Sequence, residues 1–104
     1  MFKNILDMQF LLVAYDGTDP EAHERRMKAR PEHLEKVALL KKKGEFLLGG
    51  AILDDSGKMI GSMIVYEFPD RSELDKSLQK ETYIIQGVWK HIEIRPYRLA
   101  SIEI

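Results

Sequence analysis

The sequence predicts an α+β fold in which a four-stranded antiparallel sheet carries two helices on one face. Short apolar runs bounded by turn residues predict the strands, and charged stretches with apolar residues three and four apart predict the helices. In chain order these elements read strand, helix, strand, strand, helix, strand, which is the ferredoxin-like βαββαβ pattern. The length of 104 residues fits one small domain. We expect residues 1–104 to form it, with 1–8 as an N-terminal extension and 99–104 as a tail.

The first strand is predicted at residues 9–16, where the apolar run QFLLVAYD ends at Gly17. A helix is expected directly after this strand. Thr18 would be its N-cap, because Glu21 three residues later completes a capping box, and Pro20 suits the first helical turn.

The continuation of this helix contains Pro31, which removes one main-chain hydrogen bond and crowds the preceding turn. We therefore expect a kink or a restart near Arg30, followed by a second helical stretch to Lys43. Gly44 is a suitable C-cap, and the lysines before it complement the helix dipole. One largely apolar stripe recurs along this stretch at spacings of three and four: Leu34, Val37, Ala38, Leu40 and Lys41.

A β-hairpin is predicted at residues 46–68, with arms at 46–53 and 59–68. The intervening DDSGK contains the residues that turns require, so we interpret Asp54 and Asp55 as turn residues rather than as paired catalytic carboxylates. Glycines within the arms indicate bulges or the close approach of another group. They are Gly49, Gly50 and Gly61.

A shorter helix is predicted within residues 69–80, with Asp70 or Ser72 as its cap and with Leu74 and Leu78 on one face. Residues after it form a connector or a helical turn, and a final strand is predicted at 88–98. Alternation in that strand predicts one shared face for Trp89, His91, Glu93 and Arg95.

The second face of the sheet is either solvated or covered by another subunit, because two helices cannot cover both faces. Apolar residues occur on both sides of the first three strands. We therefore expect this face to meet another subunit, which predicts a homo-oligomer.

Composition excludes several classes of function. The formal net charge of −1 provides no basic excess that would attract nucleic acid or an anionic membrane. No stretch is long enough to span a bilayer, and no signal-peptide pattern is visible. The absence of cysteine excludes disulfides, thiol catalysis and cysteine-ligated metals, and the three histidines are not spaced as metal ligands. We expect a cytoplasmic protein without a metal.

Three stretches of the sequence together resemble the YciI-like (YCII-related) family: AYDGTDPEAHERRMKARPEHL, KKGEFLLGGAILDDSGKMIGSMIVYEF and ETYIIQGVWKHIEIRPYR. The resemblance spans residues 9–98. It implies a ferredoxin-like fold that dimerises sheet to sheet into an α/β barrel, hence a homodimer. It also implies an active site around the histidine of RPEHL, His33, with an acidic partner from the segment before the last strand. Similar small barrel enzymes include muconolactone isomerases and chloromuconolactone dehalogenases.

The acidic position departs from the family pattern, which usually reads Asp-Pro-Tyr where this chain has Glu81, Thr82 and Tyr83. Glu81 retains the carboxylate but extends it by one methylene, and Thr82 lacks the rigidity of proline. The resemblance thus implies Glu81 as the residue that orients His33.

His33 lies one helical turn before Val37, so its side chain is expected to face the sheet. It is either a packed structural residue or a proton-transfer group, because imidazole gains and loses a proton near neutral pH. Arg30 would clamp an anionic substrate or form a surface ion pair. Three further residues are candidates for substrate contact. Ser62 offers a hydroxyl, Gly50 would let a substrate approach the main chain, and Tyr83 offers an aromatic wall.

These residues predict a small enzyme in which His33 is the general acid or base and Glu81 its orienting carboxylate. The reaction would be isomerase- or lyase-like, next to a carbonyl of a small organic acid or lactone, and it needs no cofactor. The alternative is a non-catalytic dimeric module that binds a small ligand, since a fold does not determine function. A third possibility is a protein that acts through its surface and retains a vestigial pocket.

Overall fold

The structure is a computed structural model that describes residues 7–102. Its elements are, in chain order, β1 (Met8–Asp16), α1 (Ala22–Lys42), β2 (Phe46–Leu53), β3 (Met59–Phe68), α2 (Arg71–Leu78), α3 (Thr82–Ile85) and β4 (Trp89–Tyr97). The strands form one antiparallel sheet in the order β2-β3-β1-β4. The predicted ferredoxin-like βαββαβ fold is confirmed, and α3 adds a single helical turn before β4.

The core lies between the helices and one face of the sheet. Across β1 and β3, Phe10 pairs with Tyr66 and Leu12 with Ile64, and all four side chains are buried. Leu74 of α2 packs against them in the same cluster. Alternate residues of the strands thus face the helices.

The opposite face of the sheet also carries apolar residues. Val13 pairs with Met63 and Leu11 with Val65, and these side chains alternate with those of the core; Val65 is 1% exposed, whereas the other three are partly exposed. Tyr15, on the same face, is exposed. Within residues 7–102 no helix packs on this face, so apolar surface remains there.

Helix α1 is continuous from Ala22 to Lys42 and contains Pro31. The expected restart near Arg30 is wrong. Proline removes one main-chain donor only, and buried residues of α1 before and after it hold the helix against the sheet. They are Ala22, Arg26, Ala29, His33 and Val37.

The predicted capping box is also wrong. The helix begins after Glu21, which is the N-cap and makes no side-chain capping hydrogen bond. Thr18 precedes the turn in which the main-chain N–H of Ala22 donates to the carbonyl of Asp19 at 3.1 Å. Arg25 forms an ion pair with the Asp19 side chain at 2.5 Å, so a charge pair between residues six apart lies at this helix start in place of the predicted box.

The turn of the hairpin has the predicted chemistry. The Asp54 carboxylate accepts hydrogen bonds from the main-chain N–H groups of Ser56 and Lys58, and Gly57 takes the positive φ of 89° that favours glycine. Gly61 allows close strand approach, because an added Cβ would lie 2.4 Å from the carbonyl oxygen of Ala14.

Strand β4 contains an irregularity next to Trp89. Tyr15 pairs with His91, whereas the following Asp16 pairs with Trp89, two residues away. Trp89 therefore turns into the core, where it is 5% exposed, and His91 is exposed on the other face. The predicted common face is wrong at Trp89, because a bulge inserts a residue into the alternation.

The ends of the described chain are extended. The main-chain N–H of Leu99 donates to the Gln9 side chain at 2.6 Å, and residues 99–102 form no strand. Most of the predicted N-terminal extension and the end of the tail lie outside the described residues, and Met8 already belongs to β1. Among residues 7–102 no helix has the length and apolar character needed to cross a membrane.

Candidate active site

His33 and Glu81, which are 48 residues apart in the chain, are joined by a hydrogen bond of 2.8 Å between Nδ1 of His33 and Oε2 of Glu81. Helix α1 directs His33 toward the sheet. Glu81 is the N-cap of α3, and its Oε2 also accepts the main-chain N–H of Tyr83 at 2.7 Å. The start of a short helix therefore holds the carboxylate in place for the imidazole.

The two side chains are buried, with His33 7% exposed and Glu81 5% exposed. A buried carboxylate requires hydrogen-bond donors, and the imidazole and the Tyr83 amide supply two of them. With Nδ1 as the donor, the neutral imidazole presents Nε2 as an acceptor. Nε2 has no hydrogen-bond partner within residues 7–102, and His33 lines a pocket.

Aromatic rings fix the plane of the imidazole. The Tyr83 ring stacks on His33 with a centroid distance of 3.9 Å and an interplanar angle of 11°. The Trp89 ring approaches the imidazole by its edge at 6.2 Å. Because both rings are buried, rotation of the imidazole away from Glu81 would require the core to move.

The pocket beside His33 has a volume of about 90 Å³ and lies between α1 and the edge formed by β2 and β3. Its wall is apolar on one side, with contributions from Leu34, Val37, Phe46 and Ile64. Its polar groups come from Arg26, Arg30, Ser62 and His33. A small ligand in this pocket meets an imidazole, two guanidinium groups and a hydroxyl.

Arg26 is held by a buried polar network. Its Nη1 forms an ion pair with Asp16 at 2.9 Å, and its Nη2 donates to the Ser62 hydroxyl oxygen at 2.9 Å. Nε1 of Trp89 donates to the same oxygen at 3.1 Å. The guanidinium also lies over the Tyr83 ring, 4.7 Å from its centroid. The Ser62 oxygen thus accepts two hydrogen bonds and retains its own proton for a ligand.

Burial raises the pKa values of two groups around this network. It raises the pKa of the Asp16 carboxyl, and the Arg26 guanidinium opposes this rise without fully offsetting it. Burial also raises the pKa of the Tyr83 phenol, against the opposing effect of Arg26 and Arg30. Tyr83 is therefore a neutral phenol near neutral pH and a hydrogen-bond donor at the pocket wall.

The structure brings most of the predicted site residues to this pocket. Arg30 lines it and has no ion-pair partner within the described chain, so a surface ion pair is not formed there. Ser62 and Tyr83 also line it. Gly50 contributes main chain only. It pairs with Met63, so its missing side chain would point to the opposite face of the sheet, where an added Cβ would meet open space.

Gly49, rather than Gly50, faces the helices. It pairs with Ile64, and an added Cβ would lie 2.9 Å from the Met63 carbonyl oxygen and 2.9 Å from Cζ of Phe46. Adjacent residues in a strand point to opposite faces of the sheet. Gly49 therefore leaves space on the side of the helices, and a register shift of one residue would give that place to Gly50.

Sequence reasoning missed Arg26 and Asp16. Arg26 precedes His33 by seven residues, which places both on one face of a helix, and this spacing was the available signal. That stretch is rich in charged residues, and an arginine in such a stretch is usually solvated, so the spacing was not interpreted as a buried site. Asp16 had no comparable signal, since its partner is set by the packing of α1 on β1.

The sequence model of the YCII-related domain matches residues 8–98. The chain belongs to the YCII-related family. Two curated relatives, both called Protein YciI, come from Escherichia coli O6:H1 and Shigella flexneri. Each is 27% identical over 97 residues, which covers 88% of this chain and 97% of the relative.

Solved structures share the fold at lower identity. The 5-chloro-2-hydroxyhydroquinone dehydrochlorinase of Burkholderia phenoliruptrix AC1100, in complex with 2,5-dihydroxybenzoquinone, superposes with a TM-score of 0.76 at 20% identity, covering 89% of this chain and 96% of that one. A dimeric ferredoxin-like protein from an uncultured marine organism has a TM-score of 0.57 at 14% identity, covering 94% and 92%. At these identities the likeness establishes the fold.

Proposed function

We propose that this protein is a cofactor-independent enzyme that transfers a proton on a small organic acid or lactone, with His33 as general acid or base. The observation that carries this proposal is the arrangement of the imidazole: Nδ1 is bound to the buried Glu81 carboxylate at 2.8 Å, and Nε2 is unpartnered within residues 7–102 on a side chain that lines a pocket. A carboxylate on one nitrogen keeps the other basic and aimed at the substrate.

The chemistry is an elimination or isomerisation next to a carbonyl. Nε2 of His33 removes a proton from carbon, and the electron pair of the broken C–H bond forms a new double bond. In an elimination the leaving group departs with its own bonding pair, and in an isomerisation the imidazolium returns the proton to another atom. Glu81 stabilises the imidazolium between these steps, because its charge lies against Nδ1–H.

The arginines supply the charge that such a substrate needs. Both Nη atoms of Arg26 are bonded to protein groups, whereas its Nε is buried without a partner in the described chain. Arg30 lines the pocket and forms no ion pair within residues 7–102. Arg30 therefore binds the substrate carboxylate or ring oxygen, and the Ser62 and Tyr83 hydroxyls orient the rest of the molecule.

The dehydrochlorinase with the same fold supports the elimination branch, since its bound 2,5-dihydroxybenzoquinone is a small oxygen-rich ring. The exposed apolar face of the sheet supports a homodimer as the working unit. Val13 and Met63 would pack against their counterparts across a two-fold axis, and a solved relative of this fold is described as dimeric. Such a dimer is the sheet-to-sheet α/β barrel.

Turnover and ligand binding together test the enzyme proposal. Purified protein is incubated with chloromuconolactone, muconolactone and 5-chloro-2-hydroxyhydroquinone, and chloride release and ultraviolet spectra are followed. We expect at least one to be turned over, with a loss of about 10²- to 10⁴-fold in kcat for His33→Asn. Lys58→Gln is the control, because Lys58 is exposed at the hairpin turn and does not line the pocket. Wild-type activity in His33→Asn would overturn the assignment of His33.

The small size of the pocket, about 90 Å³, favours one alternative, a non-catalytic module that binds a small anion. In that case an organic acid would bind without turnover. Arg30→Gln would weaken its binding, and His33→Asn would change its affinity without affecting any reaction. Calorimetric titration of the same compounds separates the two functions.

A further inference from the structure

A second hollow lies behind the His33–Glu81 pair, between the C-terminal half of α1 and the end of α2. Its volume is about 210 Å³. Glu81 lines this hollow and is absent from the wall of the first pocket, whereas His33 lines the first pocket and is absent from this one. The hydrogen-bonded pair thus separates two cavities.

The inner end of the second hollow carries two polar atoms. Oε2 of Glu81 is used by His33 and by the Tyr83 amide, while Oε1 has no hydrogen-bond partner within the described chain. The Tyr66 side chain also reaches this hollow, although Tyr66 is only 1% exposed. Burial, reinforced by the Glu81 charge, raises the pKa of Tyr66, so its hydroxyl is protonated. The inner end therefore presents a carboxylate oxygen that lacks a donor.

The middle of the hollow is apolar and its rim is cationic. Leu39, Leu40 and Leu78 form the walls. Three lysines surround the opening: Lys36, Lys43 and Lys80. Lys36 is anchored there, since its Nζ donates to the carbonyl of Lys80 at 2.8 Å. Among residues 7–102, Glu81 is the only acidic residue that lines this cavity.

We propose that this hollow is a second binding site for a small hydroxy acid with a flat or aliphatic apolar body. The ligand's hydroxyl donates to Oε1 of Glu81, its body lies between the leucines, and its carboxylate meets the lysines. An acid without a hydroxyl would displace water from Oε1 of Glu81 and supply no donor in its place, which is unfavourable. An amine is repelled by three lysines at the opening.

This site is distinct from the candidate active site and does not depend on its chemistry. It shares one carboxylate with that site, because the hydroxyl and His33 would bind different oxygens of Glu81. A ligand in the second hollow would therefore act on the imidazole through a single side chain, that of Glu81.

The test uses 4-hydroxybenzoate as the probe, with benzoate and 4-hydroxybenzyl alcohol as comparators, each of which lacks one recognised group. Titrations of the 15N-labelled protein are followed by amide chemical shifts. We expect 4-hydroxybenzoate to shift Leu40, Ser77 and Leu78, with an affinity about tenfold higher than that of either comparator. Shifts confined to Gly49, Ala51 and Ser62 would place the probe in the first pocket and overturn the proposal. Equal affinity for benzoate would overturn the role of Glu81.

Variants give an independent measure. Ser77 lines the hollow, and Ser77→Leu fills it, so binding should be abolished while the amide spectrum remains that of a folded protein. The double variant Lys43→Gln with Lys80→Gln changes exposed side chains only and should weaken binding about tenfold. Lys58→Gln, an exposed lysine at the hairpin turn, is the control. An equal loss in the control would indicate nonspecific attraction and contradict the site.

Discussion

Glu81 binds His33 through the same oxygen that caps α3, with Oε2 lying 2.8 Å from the imidazole Nδ1. One side chain therefore both starts a helix and orients the candidate catalytic group. Because α3 begins directly after Glu81, the carboxylate that accepts the Tyr83 amide also lies within hydrogen-bond distance of the imidazole.

Substitution of Glu81 tests its role as a positioning residue. Glu81→Gln retains an oxygen for the Tyr83 amide but removes the charge that stabilises the imidazolium. We expect kcat to fall about 10²-fold with little change in KM, and Glu81→Asp to recover part of the loss because it keeps the charge. Steady-state kinetics over a pH series gives the measurement. A change in KM alone would show that Glu81 acts on substrate binding instead.

The Arg26–Asp16 pair is predicted to be strongly coupled. Both side chains are nearly inaccessible, at 3% and 5% exposure. Arg26→Met leaves a buried carboxylate unpaired and should lower the free energy of unfolding by about 3 kcal/mol. The double variant Arg26→Met with Asp16→Asn should lose less than the sum of the single losses. Urea denaturation of the four proteins measures this, and additive losses would contradict coupling.

The titration of Asp16 makes a prediction about pH. Burial raises its pKa above the ordinary value of 3.8, so the folded state binds this proton more tightly than the unfolded state. The stabilising contribution is fully present below pH 3.8 and is lost as the pH rises through the folded pKa. The wild-type free energy of unfolding, measured relative to Asp16→Asn, should therefore fall with rising pH in that window. A rise would show that pairing with Arg26 outweighs burial.

Neighbouring glycines offer a matched pair of substitutions. Gly49→Ala places a methyl group 2.9 Å from a main-chain oxygen of β3, which should destabilise the protein by about 1–3 kcal/mol and narrow the pocket. Gly50→Ala meets no atom within 4 Å and should be neutral or slightly stabilising. Thermal unfolding and ligand titration compare them. Equal effects would mean that β2 does not have the observed register.

Local signals in the sequence were sufficient where the structure depends on neighbours in the chain. The hairpin turn follows from DDSGK, because the Asp54 carboxylate binds amides only two and four residues away. Asp70 caps α2 as predicted, accepting the Glu73 amide at 2.9 Å. The spacing of His33 relative to Val37 likewise predicted that both are buried on one face of α1.

The remaining features depend on contacts between distant segments. Packing against the sheet keeps α1 continuous through Pro31, although the proline favours an interruption locally. A bulge beside Asp16 turns Trp89 into the core, and strand register makes Gly49, not Gly50, the position whose side chain would point toward the helices. Arg26 pairs with Asp16 only because α1 lies across β1.

The sequence by itself determined the order of elements and the turn chemistry, since hydrophobic period and turn residues act over a few positions. The predicted apolar stripe of α1 is wrong, because Val37 is its only buried member and the buried face is formed by Ala22, Arg26, Ala29, His33 and Val37. The tertiary structure alone decided which charged residues form ion pairs and which glycine leaves space on the side of the helices. Those outcomes depend on distances between segments far apart in the chain, and a one-residue change of register reverses which side chains meet.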